Sequence, residues 1–269
     1  MTNLHVGTLL ALTVVIYAVD TSAYAARLAG VRTGRPTQAR SIYNLLALSS
    51  RAASALQLTL LARLVDSAVA RGITAELTGA LRLVLLAAAA GLVLGAVAVP
   101  SLARLLARAV HSYERRQSLP RVLLHGMRVE VFPRARQELR TPRSSTLLWA
   151  GRHRVPRRWI LLTVFVAALY AVAGPAAQIA SAIVPRGTRT ALSLSSYFNG
   201  LGTILMVLLV DPLTAHVVDQ ALREERPLSD VTAVTVWQIG GRLAGVLLAQ
   251  LLLTPVARVV ATVVGYLVP

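Results

Sequence analysis

Six stretches of this chain are too long and too apolar for a water-soluble fold. They run from about residue 4 to 27, 42 to 66, 81 to 106, 158 to 183, 191 to 213 and 232 to 265. About 20 apolar residues in a helix cross the hydrocarbon core of a bilayer, and each stretch reaches that length. Hydrocarbon offers no partner to a bare backbone amide, so a single spanning segment satisfies its own hydrogen bonds by becoming a helix. The expected fold is all-α, a polytopic membrane protein of about six transmembrane helices. Composition agrees, since 14% of the residues are charged, against about 25% in a soluble domain. The first stretch carries Ala23-Tyr24-Ala25, which imitates a signal-cleavage site. No arginine precedes it and Asp20 lies beside that site, so it reads as a retained helix.

All 28 basic residues are arginine, and the net charge is +17. In a soluble protein that excess points to nucleic acid, but here the arginines gather between apolar segments, where membrane orientation accounts for them. Arg32, Arg35 and Arg40 lie between the first two segments, a dense series from Arg108 to Arg157 between the third and fourth, and Arg223 and Arg226 between the last two. The opposite side holds Arg71, Arg186 and Arg189. Cationic loops stay cytoplasmic, which places both termini outside. No nucleic-acid partner is expected; membrane lipids are, and a homo-oligomer is left open.

The chain divides into residues 1–110, a basic cytoplasmic loop over 111–156, and residues 157–269. The loop mixes arginines with Glu114, Glu130 and Glu138, as a segment lying on anionic lipid would. Tyr113 to Met127 has the makings of a surface helix interrupted at Pro120, and Trp149 and Trp159 suit the membrane interface. The flanking parts superpose in sequence at an offset of 153 to 155 residues. Tyr17 falls on Tyr170, Tyr43 on Tyr197, Asn44 on Asn199, Asp66 on Asp219 and Pro100 on Pro255. Three spans per unit is an odd number, so the second unit enters the membrane upside down relative to the first. Two inverted three-helix repeats are a frequent construction of transporters. Gly174-Pro175 and Asp211-Pro212 are expected to break or bend the fourth and fifth helices.

Charge inside the spans is the second strong signal. Asp20, Tyr24 and Arg27 stand one above another at helical spacing. A lone aspartate at bilayer depth costs about 2.5–3.5 kcal/mol on insertion scales, so such a residue marks a site or its partner. Arg51 and Arg242 lie roughly 13 and 15 Å inside the cytoplasmic ends of their helices at 1.5 Å per residue. With Asp20, Arg27 and Asp211 they make five charges of two signs, expected to line a cavity open to the cytoplasm, joined by Asn44 on Arg51's face. Arg63 and Asp66, near the outer end of the second span, are expected to pair locally. A network of buried pairs that only fixes helix contacts would use the same residues. Guanidinium forks bind phosphate oxygens in pairs, so a phosphorylated lipid head group is the ligand such arginines suit.

Catalytic patterns are not found. The chain has no cysteine, and His5, His111, His125, His153 and His216 have no metal-ligand spacing. Neither a nucleophile elbow nor a phosphate-binding glycine loop occurs. No metal, cofactor or catalytic residue is expected. Gly200, Gly202, Gly240, Gly241 and Gly245 suit close helix contacts.

The run Asp20-Thr21-Ser22-Ala23-Tyr24-Ala25-Ala26-Arg27-Leu28-Ala29-Gly30-Val31-Arg32-Thr33-Gly34-Arg35 resembles the signature of the Amj family, bacterial alternate lipid II flippases. The likeness continues through Ser41, Asn44, Ser50-Arg51, Gln57 and Leu64-Val65-Asp66. It returns at Asn199-Gly200, Val210-Asp211-Pro212-Leu213, Arg242-Leu243 and Leu248-Ala249-Gln250, covering nearly all but residues 111–156. Ala52-Ala53-Ser54 departs from the family's pattern. The resemblance implies movement of lipid II, the undecaprenyl-diphosphate-linked peptidoglycan precursor, from the inner to the outer leaflet of the bacterial cytoplasmic membrane. On that expectation Arg27, Arg51, Arg242, Asn44 and Tyr24 bind the substrate, while Asp20, Asp211, Arg63, Asp66 and Asn199 support or couple. Competing readings are a noncatalytic scaffold of cell-wall synthesis, a transporter of another polyprenyl-phosphate lipid, and an intramembrane enzyme acting on isoprenoid phosphates.

Overall fold

The computed structural model describes residues 3–71, 74–116, 149–150 and 155–268. Its long helices are α1 (Asn3–Ser22), α2 (Tyr24–Thr33), α3 (Pro36–Ala70), α4 (Thr74–Arg116), α5 (Arg157–Ile183), α6 (Thr188–Leu205), α7 (Asp211–Leu222) and α8 (Leu228–Leu267). No strand occurs among the described residues. A 3₁₀ turn at Pro185–Gly187 leads into α6, and a π turn at Met206–Val210 joins α6 to α7. These elements make six candidate spans: Val6–Thr33, Pro36–Ala70, Glu76–Arg108, Arg157–Ile183, Pro185–Leu222 and Leu228–Leu267. Each contains one of the apolar segments read from sequence, apart from the first two residues of the first, and most run well past it. The helices outgrow the apolar runs because a polar end in the head-group layer costs nothing. The 40 residues of α8 extend about 60 Å at 1.5 Å per residue, twice the hydrocarbon thickness.

The turn between α2 and α3 is written into the residues that form it. Gly34 takes φ of 66°, a left-handed conformation that glycine alone adopts without a Cβ penalty. Its amide donates to Val31 O at 3.3 Å, and the Arg35 amide reaches back to Gly30 O at 2.9 Å. This paired closure ends a helix by satisfying its last carbonyls. Pro36 then opens α3, where its missing amide and fixed φ suit a first turn. A Cβ on Gly30 would lie 2.5 Å from that of Ala39, so the glycine lets α3 fold back tightly on α2.

Helix pairs are set by two glycines. A Cβ on Gly91 of α4 would meet Val14 O at 2.4 Å and Tyr17 Cβ at 2.8 Å; one on Gly245 of α8 would meet Val164 O and Ala167 Cβ, each at 2.6 Å. Small residues let backbones approach where lipid gives no hydrophobic drive. Of the five glycines expected to serve contacts, Gly202, Gly241 and Gly245 do, and Gly200 and Gly240 face open space.

Two larger apolar cores stand out among the described residues. One holds Leu9, Leu61, Leu64, Leu81, Leu92, Val172, Val246 and Leu253. The other holds Ala25, Leu28, Val99, Trp159, Val210, Val217 and Val231. Outward-facing side chains such as Leu86, Leu161, Phe165 and Leu251 are exposed and meet hydrocarbon in a bilayer, where no hydrophobic penalty applies.

The two proline steps differ. Pro175 sits inside a continuous α5, so the helix is not broken there, whereas the Asp211-Pro212 step coincides with the π turn and the start of α7. Of the expected Tyr113 to Met127 helix, residues up to Arg116 continue α4, and the rest, with most of the basic loop, lies outside the described residues. Trp159 is not a water-facing interface anchor: it is 5% exposed, and its indole N–H donates to Val210 O at 3.0 Å. It satisfies a carbonyl at the irregular turn, as non-helical backbone within a membrane requires.

Candidate functional site

Between the two cores, along α1, α2 and α8, the side chains turn polar. Asp20 lies in the last turn of α1 and Tyr24 opens α2, the two helices being separated by a single turn residue, Ala23. The Ala23 amide still donates to Val19 O, and Ala26 to Ala23 O. The helical path is therefore nearly preserved, and Asp20, Tyr24 and Arg27 keep one face. On α8, Gln238 and Arg242 are one turn apart and meet that face.

Arg242 Nη2 donates to Asp20 Oδ2, forming an ion pair, and Arg242 Nη1 donates to the Tyr24 hydroxyl at 3.2 Å. Arg27 Nη1 donates to Gln238 Oε1 at 2.8 Å. Both guanidiniums lie over the same Tyr24 ring, 5.3 Å from its centroid for Arg27 and 5.7 Å for Arg242. The ring's negative face attracts each cation, more strongly where water is excluded. Tyr24 is 4% and Gln238 1% exposed. One carboxylate therefore directly matches two arginines, because the partner of Arg27 is a neutral amide.

Further groups surround this centre. Asp211 lies within electrostatic reach of Arg27 and Arg40. Tyr43 is within reach of Tyr24, Arg27, Asp20 and Asp211, and Tyr17 of Arg242, Asp20 and Tyr170. Gln238, Tyr17, Tyr43 and Arg40 were not foreseen. Two of them had a signal: Tyr17 extends the Asp20-Tyr24-Arg27 stripe by one turn, and Gln238 precedes Arg242 by four.

The other expected residues stay apart. Arg51 and Asn44 are exposed on α3, as are Arg63 and Asp66. Arg63 and Asp66 form no ion pair, correcting that expectation; the ion pairs between described residues that are seen include Arg223–Asp219 at 2.9 Å and Arg226–Asp230 at 3.9 Å. Asn199, on α6, has a buried Oδ1 that accepts no hydrogen bond. Below the cluster Gln57 Nε2 donates at 2.7 Å to Thr13, which is wholly buried. No group of three metal-ligating side chains occurs among the described residues.

Six spanning segments around a polar centre built from Asp20, Arg27 and Arg242 define a polytopic membrane protein with ionisable residues held between its helices, the kind of placement by which membrane proteins mark a pathway for polar substrates. The family is shown by sequence comparison. The chain belongs to the Amj family, described as alternate to MurJ, whose model matches residues 12–264. It is similar to the lipid II flippase Amj of Bacillus subtilis strain 168, with 28% identity over 247 residues and 91% of each chain covered. No solved structure matches it.

Proposed function

We propose that this protein is a lipid II flippase of the cytoplasmic membrane, carrying the undecaprenyl-diphosphate-linked precursor from the inner to the outer leaflet. It is a transporter and not an enzyme. The observation that carries the reading is the pair of guanidiniums on Tyr24, held between spanning helices and directly matched by a single carboxylate. Two forks with donors to spare suit a diphosphate. The name of the Bacillus subtilis relative supports the substrate.

Arg27 and Arg242 hold the diphosphate, Tyr24 and Gln238 fix their planes, and Asp20 and Asp211 organise them. Arg51 and Asn44 continue the polar surface along α3. An exposed arginine in the middle of a 35-residue helix is tolerable only beside water or a polar ligand, so α3 borders the path of the head group while the polyprenyl tail stays in lipid. Arg63, Asp66 and Asn199 extend that polar lining.

Alternating access between residues 1–110 and 157–269, as inverted repeats with termini outside, is the proposed mode of movement. Three features support the duplication. Gly91 of α4 approaches Val14, and Gly245 of α8 approaches Ala167, positions that correspond at the repeat offset. Tyr17 and Tyr170 also correspond and lie within electrostatic reach of each other, as residues near a pseudo-twofold axis would. Pro100 and Pro255 both sit inside the third span of their unit.

The test is reconstitution of the purified protein in liposomes with labelled lipid II, with and without a membrane potential. Net negative charge moves outward with a gain of about 2.3 kcal/mol per charge per 100 mV, inside negative. Wild-type protein should move lipid; Arg51→Ala and Arg242→Ala should not. Transport unaffected by either substitution at equal protein level removes those residues from the path.

A further inference from the structure

The contacts of the two clustered arginines differ in a way that matters for binding. Gln238 is neutral and sealed, at 1% exposure. Asp20 is charged and its side chain keeps 32% of its exposure, with 18% for Arg242. An incoming anion can therefore displace Asp20 from Arg242, whereas the Gln238 amide stays on Arg27, which is itself partly exposed. Charge balance points the same way. Arg27 and Arg242 together match a diphosphate diester, which has one ionised oxygen on each phosphorus, and a diphosphate monoester or pyrophosphate carries more negative charge still. With Asp20 still on Arg242 the assembly carries an extra negative charge, and like charges at contact distance in a partly dry site repel strongly.

We propose that Asp20 is an exchangeable counter-ion: in the empty protein its carboxylate holds, on Arg242, the place that a phosphate of a polyprenyl diphosphate takes on binding. Loading is a swap of one anion for another, and release is driven by the return of Asp20. The swap keeps Arg242 from standing uncompensated in either state, which an unaided arginine at this depth could not manage. This rests on the reading of the cluster as the diphosphate site. The residue acts through Arg242 and is a positioning residue.

The experiment uses the full-length protein in nanodiscs, titrated with undecaprenyl diphosphate and separately with inorganic pyrophosphate, alongside lipid II transport in liposomes. Asp20→Asn, which removes the competing charge, is expected to bind undecaprenyl diphosphate several-fold more tightly while its maximal transport rate falls. Half-saturating lipid concentration and maximal rate then drop together. Asp20→Glu, which keeps the anion, should bind no more tightly than wild type. Tightening toward pyrophosphate as well assigns recognition to the diphosphate, and tightening toward the lipid alone adds a demand for the tail; either supports the swap. If Asp20→Asn binds equally or more weakly, the carboxylate only fixes Arg242 and the proposal is overturned. Where that variant does not fold, carbodiimide labelling of Asp20 in the wild type decides: labelling should rise when undecaprenyl diphosphate is added, and unchanged labelling refutes the swap. Arg242→Gln separates the two levels. If it binds normally, the site itself is wrongly assigned; if it loses binding while Asp20→Asn gains none, only the swap fails.

Discussion

Removing Arg242 while keeping Asp20 leaves a carboxylate between two apolar cores with no cation in contact, and that imbalance can be measured as a coupling energy. Breaking a buried pair by deleting one partner costs about 3–5 kcal/mol. Here the side chains keep 18% and 32% exposure, so partial screening lowers the expected cost of Arg242→Gln to about 2–3 kcal/mol. A loss of about 2 kcal/mol reduces the folded-to-unfolded ratio roughly thirtyfold. The double variant Asp20→Asn with Arg242→Gln puts two neutral amides where the ion pair was and regains most of that loss. The cycle should return a coupling of about 2 kcal/mol, read from equilibrium unfolding of the four proteins in mixed micelles by circular dichroism. Additivity within about 0.5 kcal/mol would refute the ion pair as an energetic unit. The double variant also tests function, being folded yet without its phosphate-binding fork. It should move no lipid II in liposomes, and normal transport by it would show that this pair only joins helices and does not hold the substrate.

Three further outcomes are expected. Gly245→Ala places a Cβ 2.6 Å from Val164 O and should lower stability by about 1–3 kcal/mol through overpacking, while Gly240→Ala, with nothing within 4 Å, should be neutral or slightly stabilising in thermal unfolding. Gln238→Leu keeps volume but deprives Arg27 of its acceptor; a hydrogen bond to a charged group contributes about 1.5–3 kcal/mol, so initial transport rate should fall roughly tenfold or more, and an unchanged rate would show that Arg27 needs no tether. Trp159→Phe removes the donor from Val210 O and should cost about 1–2 kcal/mol, visible as a lower midpoint of thermal unfolding.

Much of this molecule follows from composition and periodicity alone. A bilayer admits few backbone forms, so six apolar runs dictated six helical spans, and Gly34 followed by Pro36 dictated the turn between two of them. The stripe Asp20-Tyr24-Arg27 was equally legible, because residues three and four apart on a helix share a face wherever the helix packs. Which arginine meets which acid was not. Arg51 looks as deeply embedded as Arg242 along its own helix, yet Arg242 pairs with Asp20 and Arg51 faces out of α3. That difference arises from the rotation and approach of neighbouring helices, which contacts distant in sequence decide, such as that of Gly91 with Val14 and of Gly245 with Ala167. Trp159 fitted an interface by type but was drawn inward by a carbonyl at the π turn, a defect that no local pattern announces. Sequence fixes what each helix offers along its own length; only tertiary contact, by choosing the facing sides, decides which charges neutralise one another and which remain to hold a ligand.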